Sequence, residues 1–436
     1  MPDAWLATPH VPDVENGAGG SQRNHAGGGR TRARGQSARV VAAVVAVYVL
    51  VLIAGLAIGR HVTLPNAPLD TAGGGINTVV RTLLGYGDRS DFLVDFASAH
   101  ALIHGGNAYA ISAQLIHGVG PAWNLIQVAD PHPPTLLTLV LPTTVLSYHV
   151  ALAAWQLAMI FALIWTLYLV GVRPVYAIPL GVAIAITIPG NYGIINPVPI
   201  IGLGVAMAYR WRDNPVLAGL GVALAAAPKE SGLLLAVVFL LAGRIRTVAW
   251  SGVWYGLAAV IPLAFNIHVW SHYFSAGIHA IGTQANRRDD ASLLLLGRSH
   301  GVPTVVTLLI IGALAVCVAI ARRDLFWPVV WVMVAALPIA WNYSQLTFLP
   351  LMAWAVVRGG RRSTVLAVLA GGLAMAAAPN AFWTKATFPL VTAIVLVLLL
   401  TARRDREGEL WLPRQYDPFV SWPQLGGRRS RQSARV

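Results

Sequence analysis

The run "VALAAWQLAMIFALIWTLYLVG" (residues 150–171) is twenty-two residues long and carries no charged side chain. As an α-helix rising about 1.5 Å per residue it reaches about 33 Å, enough to cross a hydrocarbon layer about 30 Å thick. Comparable runs recur along the chain. An earlier one covers about Val40 to Gly59, and others cover roughly 133–148, 175–189, 197–209, 214–228, 231–243 and 247–266. After a polar break at 267–300, runs follow near 302–320, 325–341, 344–357, 363–379 and 387–402. A chain written this way is an all-α polytopic membrane protein, because inside a bilayer each segment must satisfy its own backbone hydrogen bonds.

Composition agrees with that reading. Of the 436 residues, 56% are hydrophobic and 11% are charged, against roughly 25% charged in soluble domains. The formal net charge is +14, but the arginines gather in the tails and in short connections between apolar runs. That is the cytoplasmic-positive signature of membrane proteins and not a nucleic-acid-binding stripe. The single cysteine, Cys317, lies in an apolar run, so no intrachain disulfide exists, and a small buried hydrophobe is expected there.

Residues 1–38 are rich in Gly, Asn and Arg and are expected to form a disordered basic cytoplasmic tail. The first apolar run follows this polar leader and has no small-x-small site after it, so it reads as a signal anchor. Residues 39–402 form the transmembrane domain, with outer loops at 60–132 and 267–300, and 403–436 form a second basic cytoplasmic tail. Arg210 and Arg212, Arg244 and Arg246, Arg322 and Arg323, Arg358 to Arg362, and Arg403 to Arg406 recur after every second later run. They mark the inner side. Thirteen runs cannot leave both tails inside, so 175–189, which contains Pro179 and Pro189, is expected to be re-entrant. This gives twelve crossings and makes Arg173 an outward exception.

The first outer loop contains "SDFLVDFASAHALIHGGNAY" (90–109). Read as a helix, 91–104 sets Asp91 and Asp95 one turn apart on one face. Leu93, Phe96, Ala97, Leu102 and Ile103 would lie on the membrane surface or under the spans. The stretch is then either an interfacial helix whose carboxylates face water, or the bearer of a catalytic carboxylate. His100 and His104 have metal-ligand spacing, but no Glu follows the first histidine, so a solvated helix face is the expectation and no metal site is assigned. Lys229 is one of two lysines in the chain and falls on the outer side of a Pro-broken helix pair. A charge within the membrane costs about 2.5–3.5 kcal/mol on insertion scales, so it calls for an anionic partner, either a ligand or Glu230. Arg287 and Arg288 lie outward against the charge rule. They would bind lipid phosphate or an anionic acceptor, or pair with Asp289 and Asp290. Trp270, Tyr273, Phe274 and Trp383 read as aromatics of the membrane interface.

Asp91-Phe92, then Gly105 fourteen positions after the aspartate and Tyr109 four later, resembles the opening motif of glycosyltransferase family eighty-seven. "DPHPPTLLTLVLP" (130–142) resembles its Tyr-Pro-Pro motif, with His132 in the tyrosine's place. "GNYGIINP" (190–197) resembles the Gly-Gln-x-Asn segment and keeps Asn196. "AGLGVALAAAPKESGLLL" (218–235) resembles the run ending in Lys-Pro, with Lys229 kept and Glu230 in place of proline. "LPIAWNYSQLTFLPL" (337–351) resembles a late motif through Trp341 and Tyr343. The second outer loop, "QANRRDDASLLLLGRSHG" (284–301), lacks the Asn-x-Ser element common in that family. The resemblance covers residues 40 to about 355.

The resemblance implies the C-type membrane glycosyltransferase fold, with about twelve transmembrane helices and two outward loops carrying short interfacial helices. It implies transfer of a sugar, mannose before arabinofuranose, from a polyprenyl-phosphate donor to a lipoglycan or polysaccharide at the outer face, with inversion and without a cofactor. Asp91 would be the base. Lys229, Asn196, His132, Arg287, Arg288, Tyr343 and Asp95 would bind substrate or donor phosphate. The partners are the lipid-linked donor, the glycan acceptor and membrane lipids, with no nucleic acid. A lipid flippase or a scaffold without activity is the alternative of another class, although no inverted repeat is evident.

Overall fold

The computed structural model describes residues 91–111, 114–115, 129–187, 196–284, 291–340, 342–376 and 381–402. The expected first span, both tails and the Arg287–Arg288 pair lie outside the described residues. Within them every regular element is helical. Helix α1 (Asp91–Ile103) lies in the polar stretch 60–132 that was expected to face outward. It is followed by α2 (Pro134–Val140), which tightens into a 3-10 turn at Leu141–Val145, and then by α3 (Tyr148–Leu169) and α4 (Pro174–Thr187). Next come α5 (Val198–Arg210), α6 (Pro215–Ala226), a 3-10 turn Glu230–Leu233, α7 (Leu234–Leu241) and α8 (Ile245–Val260).

The polar stretch 267–300 carries α9 (Val269–His272), a π-helical turn Tyr273–Gly277, α10 (Ile278–Gln284) and α11 (Leu293–Ser299). The chain continues through α12 (Thr304–Arg322), α13 (Phe326–Ala335), a 3-10 turn Asn342–Phe348, α14 (Leu349–Arg358), α15 (Arg361–Ala376) and α16 (Ala381–Thr401).

Among the described residues three helices are long and apolar enough to span a membrane unaided: Tyr148–Leu169, Ile245–Ala264 and Thr304–Arg322. Apart from α16 (Ala381–Thr401) the other apolar helices are shorter, and proline interrupts several of the helices. Pro142 lies in the 3-10 turn after α2, and Pro179 and Pro389 lie inside α4 and α16. Such interruptions are tolerated where neighbouring helices cover the backbone. The outer faces are apolar, as lipid contact requires: Val305 (66%), Leu309 (67%) and Ile320 (64%) stand exposed on α12. Cys317 shares this exposed helix. The expected buried position is therefore wrong, because an apolar run in a bilayer has a lipid side as well as a core side.

The centre of the bundle is the α5–α6 pair, which packs against α3 and α8. Gly204 and Gly221 let the two helices touch backbone to backbone. A Cβ on Gly204 would lie 2.5 Å from Gly221 O, and one on Gly221 would lie 2.5 Å from Ala208 N. Asn214 starts α6, its Oδ1 accepting from Val216 N (3.1 Å) and Leu217 N (3.2 Å). At that end Arg244 pairs with Asp213 at 2.8 Å. Nearby, Tyr209 packs on Trp327 and accepts a 3.0 Å bond from Trp354 Nε1. Arg322 lies over Trp354 and donates to Leu399 O (2.5 Å) and Ala402 O (2.7 Å) at the end of α16.

α1 is not an interfacial helix. Phe92, Leu93, Asp95 and Ala99 are wholly buried, and the helix packs beneath α2 and the start of α3. Phe92 stacks on Trp155, and Phe96 meets Tyr148 edge-on. The first turns of α3 therefore sit with the outer-loop helix, while Gly171, just past its end, lies against Val357, one residue before Arg358. That places Arg173 at the arginine-rich end.

Candidate functional site

The site forms at the opposite end of α5 and α6 from the arginines, where Asn196 precedes one helix and Lys229 follows the other. Asp91 is the first residue of α1 and is half-buried. Its Oδ2 accepts from Asn196 Nδ2 at 3.1 Å. Asn196 is 2% exposed and its Oδ1 accepts from Val198 N (3.3 Å). That bond fixes the amide so that its NH₂ faces the carboxylate. The helix N-terminus adds a favourable dipole for the Asp91 charge.

One turn later Asp95 is fully buried, with Oδ1 2.8 Å from His132 Nδ1. The same Nδ1 lies 3.2 Å from Asp130 Oδ1, which also accepts from His132 N at 2.8 Å. Burial pushes Asp95 up to about 7, against the lowering pull of the His132 charge. Burial also works against a proton on His132, but Asp95 and Asp130 outweigh it and hold the imidazole well above its ordinary value. His132 Nδ1 thus lies between two carboxyl groups, whose charge favours a proton on the ring. Asp95, Asp130 and His132 offer ligand atoms within 4.8 Å of one another. A divalent ion there would have to displace the Nδ1 proton that already bridges the carboxylates.

Pro228 cannot continue α6, so Lys229 is extended (φ −150, ψ 126) before the Glu230–Leu233 turn. Thr135 Oγ1 donates to Ala227 O at 2.8 Å and ties this connection to α2. Burial lowers Lys229 to about 8, opposed by the charges of Asp91 and, less strongly, Glu230. Among the described residues no carboxylate comes within ion-pair distance of Lys229, so the internal pair with Glu230 does not form. Glu230 is exposed and accepts a 2.5 Å bond from the Tyr273 hydroxyl.

Tyr273 is 2% exposed and its ring centroid is 5.4 Å from that of Tyr109. Tyr109 OH donates to His132 O at 2.9 Å. Burial, and then the carboxylates nearby, raise both phenols above their ordinary range. Asn266 adds a further link to the chain after α1, donating to Gly106 O at 2.8 Å.

An anchored carboxylate, a half-buried lysine beside it and a membrane-embedded scaffold suit a reaction on a lipid-borne anion. Residues 131–337 match the family model described as Glycosyltransferase family 87. Over these residues the chain is similar to glycosyltransferase family 87. No curated protein and no solved structure matches it.

The stretch that matches family 87 holds His132, Asn196, Lys229, Glu230 and Tyr273. Asp91, Asp95 and Tyr109 precede it, and the fold brings them to it. Of the residues expected at the site, Asp91, Asp95, His132, Asn196 and Lys229 therefore meet. Arg287 and Arg288 lie outside the described residues. Tyr343 is half-buried on the Asn342–Phe348 turn, which packs against α5, and takes part in none of the hydrogen bonds above. Tyr273, expected in the membrane interface with Trp270 and Phe274, is instead buried in the site, whereas Phe274 is 60% exposed. Sequence reasoning also missed Asp130 and the part played by Glu230. "DPHPP" offered a local signal for Asp130 alone. Tyr273 and Glu230 are 43 residues apart.

Proposed function

We propose that this family 87 enzyme transfers mannose from a polyprenyl-phosphate donor to a lipoglycan or polysaccharide hydroxyl at the outer membrane face. The observation that carries this reading is the Asp91–Asn196 pair next to the Lys229 charge. A base and a phosphate-binding cation stand together without a nucleotide-binding fold among the described residues. Asp91 takes the proton of the acceptor hydroxyl. The acceptor oxygen attacks the anomeric carbon as its bond to phosphate breaks, and the electron pair leaves on the polyprenyl phosphate. Lys229 stabilises that growing charge. One displacement inverts the anomeric centre. His132, locked between Asp95 and Asp130, holds α1 against the start of α2 and so fixes where Asp91 stands.

The outer-face placement rests on the site lying at the opposite end of α5 and α6 from Arg210, Arg212 and Arg244. Both tails are then cytoplasmic and twelve crossings remain, with one exchange. The ends of α3 support 175–189 as a crossing and 134–145 as the re-entrant segment. Arabinofuranose is the second sugar of the same reading.

The test supplies membranes containing the protein with labelled polyprenyl-phosphate mannose or polyprenyl-phosphate arabinofuranose and cell-envelope acceptors. Label should enter a glycan product from the mannosyl donor. Labelling from the arabinofuranosyl donor alone reassigns the sugar. No labelling from either, with the protein inserted and folded, removes the catalytic reading.

A further inference from the structure

We propose that Glu230 binds hydroxyl groups of the donor sugar and that Tyr273 is the residue that positions it; this rests on the reading of Lys229 as the donor-phosphate cation. An exposed glutamate is ordinarily free to rotate, and holding one costs rotamer entropy. Glu230 is exposed, yet its Oε1 is fixed by a 2.5 Å bond from a phenol that is itself 2% exposed. A hydroxyl-to-carboxylate bond of this kind is among the stronger hydrogen bonds.

The phenol is in turn built in. Its ring packs on Tyr109 (5.4 Å) and meets Trp270 edge-on (6.0 Å). It opens the π-helical turn that closes at Gly277. A Cβ at Gly277 would lie 2.5 Å from the Tyr273 ring and 3.1 Å from Asp130 O, so the turn admits only glycine beside this ring. Two outer loops and the α6–α7 connection thus converge to hold one carboxylate at the surface of the site.

The ligand's chemistry follows from what stands beside that carboxylate. Glu230 directly follows Lys229, and the two do not pair. A carboxylate repels phosphate but accepts hydrogen bonds from hydroxyls. A ligand that satisfies both neighbours carries an anionic group and hydroxyls a few ångströms apart, as a sugar phosphate does. Glu230 then accepts from sugar hydroxyls while Lys229 holds the phosphate. A carboxylate near the reacting sugar also opposes the positive charge that develops on its ring at the transition state.

The experiment compares equilibrium binding of polyprenyl phosphate and of polyprenyl-phosphate mannose to the full-length protein in detergent. The wild type should bind the mannosylated lipid about tenfold more tightly, as one or two hydrogen bonds to a charged group imply. Glu230→Ala and Glu230→Gln should bring that ratio towards one while binding of bare polyprenyl phosphate is kept or strengthened. Tyr273→Phe keeps the ring, frees the carboxylate and should reduce the ratio part of the way. Lys229→Ala should weaken both lipids and leave the ratio. A wild-type ratio of one, or a ratio unchanged in both Glu230 variants, overturns the proposal while Lys229 keeps its role. If Lys229→Ala binds bare polyprenyl phosphate as the wild type does, the phosphate reading fails and the sugar ratio alone judges Glu230. If the wild type binds neither lipid, both readings fall.

Discussion

Asp91 and Asp95 are the same residue type one turn apart, and their surroundings give them different work. Asp91 is half-buried, open to a ligand and hydrogen-bonded by one amide. Asp95 is sealed against His132. Asp91→Asn keeps the shape and removes the base, so turnover should fall by about 10²–10⁴ with donor binding retained. Asp95→Asn should change melting temperature more than single-turnover rate, because it weakens a buried ion pair. The opposite ranking would move the base to Asp95. Lys229 supplies a pH test. Its ammonium carries the charge below about 8 and loses it above. Donor kcat/KM should therefore fall as pH rises through about 8, and Lys229→Arg should abolish that limb because guanidinium stays protonated. Asp91, Asp95 and Lys229 were legible in the sequence, since a charge is rare and costly in so apolar a chain. Asn196 and His132 were legible by motif. Tyr273 was not, because an aromatic in an outer loop has the same local signature whether it faces lipid or a carboxylate 43 positions away.

The α5–α6 crossing sets the separation of Asn196 and Lys229, which stand at the site ends of these helices. Alanine in place of a helical glycine ordinarily gains about 0.8–1.0 kcal/mol of propensity. At Gly204 the new methyl would meet Gly221 O at 2.5 Å, and overpacking costs about 1–3 kcal/mol. The clash should win. Gly204→Ala is expected to lower the melting temperature in detergent and to reduce transfer, whereas Gly256→Ala on α8, with nothing within 4 Å of its Cβ, should do neither. A stabilised Gly204→Ala protein would mean that the two helices separate without loss. At this scale the sequence showed where the apolar helices lie but not which segment turns back. The runs at 133–148 and 175–189 are both apolar, of similar length and contain proline. Periodicity cannot separate them; the proposed exchange rests on packing instead, since α2 is seven residues long before it tightens and Gly171 lies against Val357.

Across the whole molecule, the proposed topology makes an orientation test with a definite sign. With Cys317 replaced by alanine, a cysteine at His104, which is exposed, should react with a membrane-impermeant maleimide in intact cells. A cysteine at Arg173 should react only after permeabilisation. Labelling of both from outside would restore 175–189 as the re-entrant segment, and labelling of position 104 only from inside would invert the topology and the mechanism with it. The Arg322 contacts carry a consequence for how the chain is made. This guanidinium is 4% exposed and donates to carbonyls 77 and 80 residues further along. During synthesis α12 leaves the ribosome well before those acceptors exist, so it cannot settle into its final place until α16 has been inserted. A nascent chain stalled before residue 399 would keep this arginine without its two acceptors, a mark by which membrane quality control could tell an unfinished chain from a completed one.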